Sequence, residues 1–428
     1  MQALAVHPGR RYLMTADGEP FFYLGDTAWE LLHALSREET REYLDVRQQQ
    51  GFNVIQTVAL AEFDGLRTPN HYGRVPLSCS DGVFRPASPD TSGEYSYWDH
   101  VDFVVQEAEQ RGLRLALLPT WGDKFNQGHG LGPEIFTPAN ARAYGLWMGQ
   151  RYRTAVNLIW MLGGDRQLQT DEHRAIVDAM AAGLREGDGG SHLITFHPRG
   201  NRSSIDDVPD RDYLDFHAVQ SSHGFGCFDS AQLLLRTAAA EAKPCLDAEH
   251  RYEGIAACLK PSCGYRWNAA DVRTNAYWNI MAGACGDTYG HDCVWSMNRT
   301  PGERFVTTWR DALRWPGAEQ AANLRRLRLS RPYFEFRPAP ELAPPETAAN
   351  AAIAAGRGDQ YAFIYTPLGQ PIRLPAERLD AMFFRAAWYD PHSGEETAFG
   401  VFNQREALFV PPSSGPGHDW VLILDMLG

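Results

Sequence analysis

The chain has 428 residues, 44% hydrophobic and 12% aromatic, enough at roughly 100–200 residues per domain for one large domain and a small one. Acids outnumber bases 53 to 40, the net charge is −13, and no Lys/Arg run interrupts it, which excludes nucleic acid and anionic membrane as partners. No stretch approaches the roughly 20 apolar residues of a membrane span, and Met1-Gln-Ala-Leu-Ala-Val-His-Pro lacks a signal-peptide core, so a soluble cytoplasmic protein is expected.

In chain order, apolar runs lie at 21–25, 54–60, 114–119, 157–162, 193–197, 213–219, 243–248 and 283–289. Amphipathic segments of helical period separate them. Ser36 with Glu39 forms a capping box that opens one helix. The others are predicted at 97–111, 138–152, 171–184, 230–242 and 269–281. Eight strand-like runs alternating with helices predict a (β/α)₈ TIM barrel over residues 1–330. A doubly wound sheet is the other arrangement such alternation allows. It would want a Gly-rich phosphate turn after the first strand, where this chain has Leu24-Gly-Asp-Thr-Ala-Trp29.

After Ser330 the texture changes. A Pro-rich crossing from Arg331 through Pro344-Pro345 leads into short β-type runs at 361–365, 382–389, 407–410 and 420–424. Turns such as Asp390-Pro-His-Ser-Gly394 divide them, and a small β-sandwich over 331–428 is expected. The seven cysteines, Cys79, Cys227, Cys245, Cys258, Cys263, Cys285 and Cys293, are odd in number and lack C-x-x-C spacing. Free thiols are expected, with a single bridge such as Cys258–Cys263 as the alternative.

In a barrel the functional residues stand at the C-terminal ends of the strands. Here those ends offer Asp26 and Trp29, then Glu62, Trp121, Asp165, His197, His217 with Gln220 and His223, Glu249 with Tyr252, and Tyr289 with His291. Carboxylates and aromatic rings dominate. Glycoside hydrolysis needs two carboxyl groups, one to protonate the leaving oxygen and one to meet the developing oxocarbenium ion. Sugar C–H faces stack on Trp and Tyr, and sugar hydroxyls need His, Gln and Asp partners. This composition suits a carbohydrate substrate better than a phosphate or a peptide, and it calls for no cofactor.

Asp165 follows Gly163-Gly164 directly after the fourth run; its structural alternative is a helix N-cap. Glu249 follows the seventh, where the alternative is a buried ion pair with Arg251. Many retaining barrel glycosidases carry their acid/base after strand four and their nucleophile after strand seven. Asp165 and Glu249 occupy those places. Asp26, Trp29, Trp121, His197, His217, Gln220, Tyr252, Tyr289, His291 and Trp295 are the expected substrate-binding residues.

The sequence elements Leu24-Gly-Asp-Thr-Ala-Trp29, Gly51-Phe-Asn-Val-Ile-Gln56, Gly163-Gly-Asp165, Lys243-Pro-Cys-Leu-Asp-Ala-Glu249-His-Arg-Tyr-Glu253, Gly286-Asp-Thr-Tyr-Gly290 and Trp315-Pro-Gly-Ala318 resemble the apiosidase-like glycoside hydrolase family. Its members release terminal apiose from plant pectic side chains. The resemblance implies Asp165 as acid/base and Glu249 as nucleophile of a retaining enzyme, acting on apiose or another terminal pentose or hexose. The tail, with Trp388-Tyr-Asp-Pro-His-Ser-Gly-Glu395, is similar to a small β-domain labelled collagen-binding, a name and not an activity. Two other readings remain: a metal-dependent barrel hydrolase, in which His197, His217, His223 and His291 converge as ligands, and a non-catalytic carbohydrate-binding protein.

Overall fold

The structure is a computed structural model that describes all residues except 226–228, 344–348, 375–380, 382, 404–407 and 428. Its centre is a curled parallel sheet. In chain order the parallel strands are β1 (Tyr23–Thr27), β2 (Val54–Val58), β3 (Arg114–Leu118), β4 (Leu158–Gly163), β5 (Ile194–His197), β6 (His217–Gln220), β7 (Cys245–Asp247) and β8 (Gly286–Tyr289). Six of them form one sheet in the order β5-β4-β3-β2-β1-β8, and β6 and β7 form a separate parallel pair. Backbone bonds join this pair to both edges of the larger sheet. Asp215 N–H donates to the Ile194 carbonyl at 2.9 Å, and Cys285 N–H donates to the Cys245 carbonyl at 2.8 Å. Strands covered on both faces read as continuous apolar runs, which is why each expected run overlaps a strand.

The outer helices are α1 (Arg37–Gln49), α2 (Tyr97–Gln110), α3 (Pro138–Tyr152), α4 (Asp171–Asp188), α5 (Asp229–Ala240), α6 (Ala269–Met281) and α7 (Pro316–Leu329). Their starts follow from local chemistry. Ser36, Ser96 and Asn268 each cap a helix reciprocally with an acidic residue three positions on. Thr170 caps α4, accepting from His173 N–H at 3.1 Å. Two features were not foreseen: an antiparallel meander of Leu4–Val6, Leu13–Thr15 and Pro20–Phe21, and a hairpin of Leu77–Ser80 with Val83–Pro89. Among the described residues no helix is long and apolar enough to cross a membrane.

The tail is an antiparallel six-stranded sheet. Its strands are β9 (Arg337–Pro338), β10 (Ala354–Arg357), β11 (Tyr361–Thr366), β12 (Phe383–Tyr389), β13 (Glu396–Asn403) and β14 (Trp420–Leu427), in the order β9-β10-β11-β14-β12-β13. Alternation along β11 assigns its two faces. Tyr361, Phe363 and Tyr365 join Tyr277 and Trp278 of α6 in the large core, and Tyr277 stacks on Tyr365 with ring centroids 5.0 Å apart. Ala362 and Ile364 turn the other way, toward Ile372 and Phe409 of a two-stranded ribbon that completes the sandwich. Cys79, Cys245, Cys258, Cys263, Cys285 and Cys293 are free thiols, so 258 and 263 are unbridged. Cys227, Pro344-Pro345, Met382 and Ala407, named in the sequence reading, lie outside the described residues.

Candidate active site

The Gly163-Gly164-Asp165 turn is wedged between its neighbours. Gly164 N–H donates to the His197 carbonyl at 3.1 Å, and its own carbonyl accepts from Gly122 N–H at 3.0 Å. Gly163 has φ +90, and a Cβ there would stand 2.3 Å from the His197 carbonyl oxygen, so glycine is required. Asp165 follows with φ +55, a left-handed conformation that is strained for a residue with a side chain. It caps no helix, because Thr170 caps α4. Its side chain is 27% exposed. Arg166 Nη1 donates to both the Asp165 carbonyl at 2.8 Å and Oδ2 at 3.1 Å.

Glu249 stands on the loop leaving β7, and that loop is fixed from below. Ser222 N–H donates to the Glu249 carbonyl at 3.1 Å, and Gln56 Nε2 reaches across from β2 to the Ala248 carbonyl at 2.9 Å. Buried Asp247 accepts from Ser221 Oγ at 2.5 Å and from Glu249 N–H at 3.3 Å. The Glu249 side chain is buried between two imidazoles. His223 Nε2 is 3.0 Å from Oε1, and His197 Nε2 is 3.3 Å from Oε2. The guanidinium of Arg251 lies over the Trp267 ring at 4.3 Å, and the Tyr252 hydroxyl adjoins the carboxylate beside the two histidines.

The two carboxyl groups sit in opposite electrostatic settings. Burial raises Asp165, and the negative charge of Glu249 raises it further, against Arg166, His197 and a Gln220 hydrogen bond. Burial pushes Glu249 upward too, but His197 and His223 outweigh it and hold the group well below the ordinary glutamate value. Two further carboxylates adjoin them. Glu62 is pushed up to about 7 by burial, with Asp165, Asp123 and Glu249 adding repulsion against Arg166. Glu30 is pushed up to about 8 by burial and by the charge of Glu62.

Around this pair the structure assembles Trp29, Trp121, His197, Gln220 and Tyr252. Trp29 packs on Trp121 and His197 with centroids 5.2 and 5.3 Å apart, and Tyr252 packs on His223 at 4.5 Å. Trp121 Nε1, His197 Nδ1, Gln220 Oε1 and the Tyr252 hydroxyl are buried without a hydrogen-bond partner among the described residues. Such atoms are costly unless a ligand meets them.

Four expected binding residues lie elsewhere, and strand alternation explains three of them. In β1, Tyr23 and Thr27 face Gln56 in the interior, so Asp26 faces out to helix α1. It pairs there with Arg47 Nε at 2.6 Å and accepts from Tyr43. Tyr289 is its neighbour in register, faces out as well, and donates to Glu253 Oε2 at 2.6 Å. His217, out of phase with Gln220, lies 2.7 Å from Ser204 Oγ and 3.1 Å from Glu241 Oε2. His291 packs edge-on against Trp315 at 4.5 Å. Trp295 stands on the loop after β8, stacked on Phe63 at 5.4 Å. Of the four histidines that a metal site would need, only His197 and His223 meet; among the described residues no group of three or more His, Cys, Asp or Glu is placed to hold a metal ion. Glu62 stands at a strand end with no role expected of it, and His223, expected only as a metal ligand or a sugar hydroxyl partner, instead flanks the Glu249 carboxylate.

Comparisons with known proteins identify the family and the fold. The family model described as "Apiosidase-like, catalytic domain" matches residues 7–335, and that described as "Putative collagen-binding domain of a collagenase" matches residues 342–425. A crystal structure of a glycoside hydrolase family 5 protein from Bacteroides vulgatus ATCC 8482 is 32% identical, with a TM-score of 0.89 over 99% of this chain and 93% of that one. A second structure, described as a glycoside hydrolase, is 31% identical, with a TM-score of 0.88 over 99% of this chain and 97% of that one. No curated protein matches the chain. Matched over most of its length in sequence and in fold, the chain belongs to the apiosidase-like glycoside hydrolase family.

Proposed function

We propose that this protein is a retaining glycosidase that releases a terminal sugar, apiose or another pentose or hexose, from a plant-type glycan. Its catalytic unit is read as a closed (β/α)₈ barrel, in which the backbone bonds at Ile194 and Cys245 seat the β6–β7 pair between β5 and β8. The tail serves as a structural accessory. The observation that carries the reading is the opposed setting of the two carboxyl groups. Glu249, kept ionised by His197 and His223, attacks the anomeric carbon. Asp165, raised by burial and by that charge, keeps its proton for the leaving oxygen, then takes one from the water that hydrolyses the glycosyl-enzyme. Trp29 and Trp121 offer the C–H faces of the sugar a wall, and Gln220, Tyr252 and the Trp121 indole N–H offer partners for its hydroxyls.

Screening aryl glycosides of pentoses and hexoses identifies the terminal sugar. A matched 2-fluoro glycoside should then label the protein once, on the peptide carrying Glu249, and the first-formed product should keep the anomeric configuration of the substrate. Labelling elsewhere, or an inverted first product, overturns the double displacement.

A further inference from the structure

The loop leaving β2 carries two side chains that the proposed chemistry does not use. Glu62 and Phe63 sit on a tightly wound turn in which Asp64 N–H donates to the Glu62 carbonyl at 2.7 Å and Asp64 has φ +57. A Cβ on Gly65 would stand 2.7 Å from the Ala61 Cβ, so the turn closes only with glycine there. From below, Trp121 N–H donates to the Leu60 carbonyl at 3.1 Å, and buried Glu30 faces the backbone N–H groups of Glu62 and Phe63. This loop is therefore a rigid mount.

What it presents is amphipathic. Phe63 is 42% exposed, with one face stacked on Trp295 at 29° between the ring planes and the other toward solvent. Glu62 Oε1 is 3.7 Å from Arg166 Nη2, and the same guanidinium holds Asp165 Oδ2. Arg166 is 3% exposed, yet its Nε and Nη2 have no hydrogen-bond partner among the described residues. A stacking ring, two orphaned N–H donors and a carboxyl group thus adjoin the group assigned to protonate the leaving oxygen.

We propose that Glu62, Phe63 and Arg166 form the leaving-group subsite, which takes the sugar ring from which the terminal residue is cut. Phe63 stacks on a C–H face of that ring. Arg166 Nε and Nη2 donate to its hydroxyls, and Glu62 completes the hydrogen bonding. The inference rests on the assignment of Asp165 as acid/base.

The test compares two substrates of the same terminal sugar. A glycosyl fluoride has no leaving-group ring; a disaccharide has one. Phe63→Ala should lower kcat/KM on the disaccharide roughly tenfold more than on the fluoride, the order expected of one lost stacking contact. Phe63→Trp should restore the disaccharide, and Glu62→Gln should also act more on the disaccharide. Equal losses on both substrates, or none, overturn the subsite. If the wild type turns over no fluoride, the double-displacement reading fails instead, and binding then decides the sugar site. Saturation-transfer NMR on Glu249→Gln protein should show methyl β-D-galactopyranoside or methyl β-D-xylopyranoside binding that Phe63→Ala weakens. Binding indifferent to Phe63 overturns the proposal.

Discussion

His223 Nε2 stands 3.0 Å from Oε1 of Glu249, both side chains buried at the ends of neighbouring strands. An ionised carboxylate only accepts hydrogen bonds, so the imidazole carries its proton on Nε2 in this contact. That hydrogen bond, with His197 on the other oxygen, lets a carboxylate remain charged where burial alone would neutralise it.

His223→Ala should therefore raise the Glu249 pKa toward and past the ordinary glutamate value. As the proposed nucleophile Glu249 must be ionised, so the acid limb of the kcat/KM profile should move to higher pH, with kcat/KM down on the order of a hundredfold at low pH. His223→Gln keeps a donor and should recover part of the loss. An unmoved acid limb in His223→Ala means that this histidine does not hold the charge.

Glu30 makes a stability prediction of opposite sign. Its folded pKa, pushed up to about 8, lies above the ordinary value of 4.5. Between those two values the unfolded chain gives up a proton that the native state holds. Unfolding should therefore become easier as pH rises through this window and level off above about 8. Glu30→Gln removes the effect while still accepting from the loop backbone. In urea titrations the variant should be more stable than the wild type at pH 8 by a few kcal/mol, at about 1.4 kcal/mol per pKa unit, and nearly equal at pH 4.5. A difference that does not change with pH refutes the assignment.

The contrast between Asp26 and Asp165 shows what the sequence could convey. Strand positions were legible because both faces of the sheet are covered, and a buried strand must be apolar throughout. The catalytic candidates were legible because a Gly-Gly pair directly before an acid is local information. The direction of a polar strand-end residue was not. Asp26 turns outward because Arg47 and Tyr43, on a helix that follows, wait there for it, and Tyr289 turns with it because register pairs them. The phase had one sequence signal: Gly25 and Thr27 are small where the interior is crowded by Tyr23 and Gln56. The roles of His223 and Glu62 depend on contacts between loops far apart in sequence, which periodicity does not encode.

The tail should prove inseparable from the parallel-sheet domain. Arg273 on α6 places Nε 2.9 Å from Asp419 Oδ2, both groups are buried, and Tyr365 donates to the same oxygen at 3.2 Å. Asp419→Ala leaves the guanidinium buried without its partner, which costs about 3–5 kcal/mol. A clear fall in melting temperature is expected. Deleting residues 331–428 also uncovers Tyr277 and Trp278, so that protein should be insoluble or strongly destabilised. A soluble truncated protein with full activity overturns the structural role.

The last prediction separates the two carboxyl groups. As the proposed acid/base Asp165 acts on the leaving oxygen, so Asp165→Ala should hurt substrates with poor leaving groups most, because an activated aryl leaving group departs without a proton. The group that replaces it need only reach the glycosyl-enzyme. Azide, small and not needing deprotonation, should restore turnover of the activated substrates and yield a glycosyl azide of retained configuration. Glu249→Ala removes the proposed nucleophile and should be nearly inactive on every substrate, since no glycosyl-enzyme would form. Azide there occupies the space of the lost carboxylate and attacks the substrate directly, so its product should have inverted configuration while Asp165 still protonates the leaving group. The pH profile gives an independent reading: Asp165 is raised by burial and by the Glu249 charge, so the wild-type alkaline limb should lie above the ordinary carboxylate range and vanish in Asp165→Ala. Two variants that fail equally on activated and unactivated substrates, with neither rescued by azide, mean that the roles assigned to Asp165 and Glu249 are wrong.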